Sequence, residues 1–164
     1  MTTALLSVVQ CIWMFIGIWV VTVTLPYKGL ADNFPNDVRE ALSPRLDHLP
    51  LSPKRIAGMI FLVIWCIGFI GIYVFAGRDG ILNGFTFGQF LARYLILGVS
   101  IKLFDIIGLD YFLLTKTQFF QHYLPETKGC KGWQVFGFNR KEQIRQCIMI
   151  PIFCIICAWI CTLL

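Results

Sequence analysis

At 164 residues the chain has room for one domain, and it is 57% hydrophobic and only 14% charged, against about 25% charged in a typical soluble domain. That composition, with a mean hydropathy of +0.73, excludes an ordinary soluble enzyme, because the apolar segments leave no length for a soluble domain beside them. The formal charge of +5 sits mostly in two loops without a stripe of base-stacking aromatics, which excludes nucleic acid as a partner and points to topology and anionic lipid.

Four apolar stretches are long enough to cross a bilayer, which takes about 20 residues. The first covers residues 4–24. No basic region precedes it and no small-x-small cleavage site follows, so a retained helix is expected rather than a cleaved signal. The second covers residues 56–76, opened by Ser52 as N-cap with Pro53 in the first helical position. The third covers 90–114, where Thr86 and Gln89 have the spacing of a capping box. The fourth covers 144–164, with Asn139 and Glu142 as a second box. Pro151 inside it should kink the helix or free the carbonyl of Cys147. The expected fold is all-α, an integral membrane four-helix bundle that forms a single transmembrane domain over residues 1–164.

Three loops join the spans. Residues 25–55 are rich in Pro, Asn and Asp, with one short surface helix expected over 37–42. Residues 77–85 read as a tight Gly/Asn turn. Residues 115–143 mix cations with Phe119, Phe120, Tyr123, Trp133, Phe136 and Phe138. Rings settle at headgroup depth while cations meet phosphates, so interfacial anchoring is expected ahead of a partner-binding groove. Lys128, Lys131 and Arg140 are the candidate contacts to lipid phosphate. The bilayer, anionic lipid included, is the expected partner, and self-association is compatible with the composition.

Charge asymmetry sets orientation. The first loop holds Lys28, Arg39, Arg45, Lys54 and Arg55; the third holds Lys116, Lys128, Lys131, Arg140 and Lys141; the middle loop holds only Arg78. By the positive-inside rule the first and third loops face the cytoplasm of a plasma (inner) membrane and both termini face out.

The ionisable residues of the third span are the candidate site. Asp105 falls near mid-span, where an acid costs about 2.5–3.5 kcal/mol on insertion scales. Lys102 lies three residues before it, on a shared helix face. Asp110 is five residues on, roughly 140° around a 3.6-residue helix, so the two acids do not face one way. Either Lys102 and Asp105 form a neutralised pair that locks the helix, or the three residues line a substrate, ion or proton site.

The cysteines carry less. Of seven, only Cys130 is in a loop, which is not a secreted disulfide framework. Cys147, Cys154 and Cys161 recur at steps of seven and read as a small-residue packing stripe. A redox Cys154–Cys157 pair is the alternative, but the 77–85 loop has no second pair to relay electrons. His48 and His122 lie in loops, away from zinc spacing and from any haem-ligating position. No metal or cofactor is therefore expected. Leu124-Pro-Glu-Thr127 has the letters of a sortase signal, but Lys128 stands where that signal requires glycine.

Phe104-Asp105-Ile-Ile-Gly-Leu-Asp110, Leu124-Pro-Glu-Thr127, Gly132-Trp133 and Gly137-Phe138 together resemble a family of small four-helix bacterial integral membrane proteins with no assigned activity. The likeness covers roughly the last third of the chain. It implies the bundle and draws attention to Asp105 and Asp110, and it supplies no substrate. The function expected from all this is non-enzymatic: binding or transport of a small molecule or ion by polar residues of the third span. A structural or accessory subunit is the alternative, and a thiol-redox or lipid-headgroup enzyme the third reading.

The topology has a direct test. Single cysteines at Asn83 and Ser43, labelled in intact cells with an impermeant thiol reagent, should react at position 83 and not at 43. The opposite pattern would invert the orientation.

Overall fold

The computed structural model describes residues 3–24, 31, 34–47, 50 and 52–164; Lys28 and His48 lie outside them. Six α-helices, not four, are present among the described residues: α1 (Thr3–Thr24), α2 (Asn36–Asp47), α3 (Pro53–Leu82), α4 (Phe87–Leu103), α5 (Phe119–Tyr123) and α6 (Arg140–Leu163). A π-helix, Phe104–Lys116, follows α4 directly, and two 3-10 turns cover Pro125–Thr127 and Lys131–Gln134. The described residues contain no strand.

Three helices, α1, α3 and α6, are long and apolar enough to cross a membrane. The expected third span differs because its α-helical part is only 17 residues and the remainder changes hydrogen-bond pattern. The exposed surface fits lipid. Ile60, Val63, Ile67, Ile70 and Val74 of α3 are all 58–65% exposed, a contiguous apolar surface that water would not tolerate.

α3 begins and ends by local chemistry. Ser52 accepts the Arg55 amide at 3.3 Å, ahead of Pro53. The helix then runs through Gly77 and Gly80 to Leu82, six residues beyond the expected end. The chain reverses only at Gly84, with φ +64°. There the Phe85 amide bonds the Gly80 carbonyl and the Gly84 amide bonds that of Ile81, both at 3.0 Å, which is a Schellman C-cap. Gly77 and Gly80 serve packing instead of turning. A Cβ on Gly77 would lie 2.7 Å from the Tyr94 hydroxyl, and one on Gly80 would strike the Phe90 ring. At the next helix start, the Thr86 amide donates to Gln89 Oε1 at 2.8 Å, as the capping box requires.

The chain divides into two compact units. One comprises Met1–Phe15, Ile64–Phe104 and Lys141–Leu164, with a core of Leu6, Ala76, Phe90, Tyr94, Leu97, Cys154 and Ala158. Here Trp13 Nε1 donates to the Trp65 carbonyl at 3.0 Å, and Trp65 Nε1 donates to the Trp13 carbonyl at 2.9 Å. Fully buried Gln10 donates from Nε2 to the Leu97 carbonyl at 2.6 Å and to Ser100 Oγ at 3.0 Å. Such cross-helix bonds join helices where apolar burial gives no drive.

The other unit comprises Ile16–Val63 and Asp105–Arg140. Its core includes Phe34, Val38, Leu42, Leu114, Phe120, Leu124 and Trp133. The short surface helix expected over 37–42 is therefore longer, Asn36–Asp47, and turns Val38 and Leu42 inward. Two of the expected interfacial anchors are core residues as well: Trp133 stacks on Phe120 at 5.3 Å and meets Phe34 edge-on at 5.0 Å. Phe136 does remain exposed. Asp37 ties the segments together, accepting the Gly132 amide at 2.8 Å, and Arg45 bonds Glu126 at 2.9 Å.

A Cβ on Gly132 would collide with the Asp37 carboxylate and with Pro35. Gly132→Ala should accordingly cost about 1–3 kcal/mol, the usual cost of overpacking, seen as a lower melting temperature in detergent. Gly71→Ala, with open space around the new methyl, should not lower it.

Candidate functional site

The ionisable residues of the third apolar stretch fall on two different helical patterns. Lys102 ends α4 and is buried. Its Nζ donates to Gln146 Oε1 on α6 at 2.5 Å, and Gln146 Nε2 in turn donates to Glu142 Oε1 at 3.2 Å. Arg145 donates to the same Glu142 oxygen at 2.6 Å. Sequence alone suggested one partner for Lys102, Asp105; the structure supplies another in Gln146. Nothing in the fourth apolar stretch singled out that glutamine, which stands beside Arg145 at its polar start.

Asp105 and Asp110 lie in the π-helix, both half-buried. A π-helix bonds residue i to i+5, as the Thr117 amide does to the Phe112 carbonyl at 3.0 Å. Residues five apart therefore sit on consecutive turns of one face. The 140° separation expected from a 3.6-residue period is overturned, and the two carboxylates share a face. Asp110 Oδ2 accepts from Asn139 Nδ2 at 3.1 Å. The Asn139–Glu142 capping box does not form: Asn139 turns its amide to Asp110, and its buried Oδ1 receives no hydrogen bond among the described residues. Asn139 is thus joined to Asp110, and Asp105 stands one π-helical turn before it.

Arg93 and Asp79 were missed in the sequence. Arg93 Nη1 donates to Asp79 Oδ2 and to the Ala76 carbonyl, each at 2.8 Å, while its guanidinium lies 4.3 Å over the Phe85 ring. Their spacing of fourteen, across an expected turn, gave no helical signature.

Of the candidate phosphate contacts, Lys128 and Lys131 line one polar cavity of about 330 Å³ together with Gln121, Cys130 and Trp133. Arg140 is exposed at the start of α6 and is not part of that wall. Burial, then the charge of Asp37, pushes the Cys130 thiol above its usual range, so it stays protonated at neutral pH and adds no negative charge to the wall. The cysteine stripe of α6 divides. Cys154 Sγ donates to the Tyr94 carbonyl at 3.2 Å and Cys161 Sγ lies 3.2 Å from the Tyr94 hydroxyl, whereas Cys147 is exposed. All seven cysteines are free thiols. Among the described residues, no three His, Cys, Asp or Glu side chains gather as metal ligands.

Comparison with protein-family models, with curated proteins and with solved structures gives no match.

The Lys102–Gln146 bond predicts an energetic cost. Gln146→Leu removes a hydrogen bond to a charged group and should cost about 1.5–3 kcal/mol. Lys102→Met combined with Gln146→Leu should recover part of that loss, because no buried ammonium then remains. Thermal melts of the two variants in detergent measure both effects.

Proposed function

We propose that the protein is a multi-pass membrane component that binds a small hard cation, such as sodium, at Asp105, Asp110 and Asn139. The observation that carries this reading is the five-residue step between the two acids within the π-helix, which aligns their carboxylates on one face. The buried Asn139 Oδ1, an acceptor with no donor, adds a third oxygen, and hard cations are bound by carboxylate and amide oxygens. Acids within apolar helices mark ion pathways by default. The same reading takes α4 and the π-helix as a fourth crossing and places both termini outside. It also includes the kinship of the 104–138 stretch with small four-helix membrane proteins.

A structural role is the second reading, favoured by the Lys102–Gln146 bond, which ties α4 to α6 without needing a ligand.

Melting in sodium or potassium against choline at constant ionic strength separates the two. A bound cation at a hundred times its Kd should stabilise the protein by about 2.7 kcal/mol, and Asp105→Asn or Asp110→Asn should fold while losing that gain. Equal melting in all three salts would leave the structural role standing.

A further inference from the structure

We propose that the cavity walled by Gln121, Lys128, Cys130, Lys131 and Trp133 binds a phosphate ester that also carries a hydroxyl or ammonium group. The proposal is independent of the cation site. Its volume, about 330 Å³, is at the small end of ligand pockets and suits a polar headgroup better than a drug-sized molecule.

The wall has a one-sided charge. Among the described residues it contains Lys128 and Lys131 and no carboxylate. The acids of the surrounding segment are engaged elsewhere, Asp37 by the Gly132 and Val38 amides and Glu126 by Arg45. Neither lysine makes an ion pair among the described residues. Between them the chain turns through Gly129 at φ +92°, a conformation that favours glycine. That turn lets residues three apart both contribute to the wall.

Two buried polar atoms in the same wall have no partner among the described residues. Trp133 is 2% exposed, and its Nε1 finds no acceptor. An indole N–H can only donate, and buried groups of this kind are nearly always bonded. The ring is held between Phe120 and Phe34, so it cannot turn to find another acceptor without breaking the core. Gln121 Oε1 is the converse, a buried acceptor without a donor. Two cations and an unpaired donor match anionic phosphate oxygens, and the unpaired acceptor matches a hydroxyl or ammonium on the same molecule. Glycerol phosphate and ethanolamine phosphate have that chemistry, whether free or as the head of a lipid.

Calorimetric titration of the full chain in a neutral detergent tests this with two probes: sn-glycerol 3-phosphate, and dihexanoyl phosphatidylglycerol below its micelle concentration. Saturable binding that weakens with added salt is expected for at least one of them. Binding of the soluble ester identifies a free metabolite as a competent source, and binding of the lipid alone identifies the headgroup. Lys128→Gln with Lys131→Gln, both exposed and outside the core, should lower affinity tenfold or more without changing the melting temperature. Trp133→Phe should weaken binding severalfold. Asp105→Asn should not alter it. Absence of binding by both probes, or full affinity in the double lysine variant, would overturn the proposal.

Discussion

A charged group set among apolar helices has to find its partners within the protein, and Arg93 shows how much local structure follows from that requirement. Its guanidinium bonds the Asp79 carboxylate and the Ala76 carbonyl, which holds the end of α3 against the start of α4. The same contact explains why α3 continues past Ala76. Ending the helix there would carry Asp79 away from its cation and pull Gly77 and Gly80 out of register with Tyr94 and Phe90. The turn is therefore deferred to Gly84, the first position where positive φ and a Schellman pair of bonds close the helix together. Gln10 and the reciprocal Trp13–Trp65 bonds follow the same rule with neutral groups.

The second unit solves a different problem, that of giving irregular backbone a core. Phe34, Phe120 and Trp133 form an aromatic cluster under α2, and the Asp37 carboxylate caps the Gly132 amide beside it. The close approach of Pro35 and Asp37 leaves position 132 room for glycine alone. This arrangement consumes aromatics that would otherwise dip into headgroups, and it leaves the neighbouring lysines around a polar hollow without acidic partners among the described residues.

In the π-helix, backbone pattern and chemistry meet. Widening the hydrogen-bond step from four to five residues rotates Asp110 onto the face of Asp105, and Asn139 comes to Asp110 from the far end of the following loop. π-helical segments are rare and are often found at functional sites.

Composition and hydropathy determined what depends on the kind of residue alone. The all-α class, the apolar stretches, the Ser52-Pro53 start and the Thr86–Gln89 box could be read directly, because each depends on near neighbours along the chain. Lys128 and Lys131 were recognisable as a basic pair for a similar reason. What only the tertiary structure decided depends on partners far apart in sequence. Whether Gly77 and Gly80 turn or pack depends on Tyr94 and Phe90. The destination of the Lys102 ammonium depends on Gln146, and whether Trp133 is an anchor or a core residue depends on Phe34, about a hundred positions away. The faces of Asp105 and Asp110 depend on a π pattern that a fixed 3.6-residue period hides, because the same five-residue step means 140° in one helix and roughly one turn in the other.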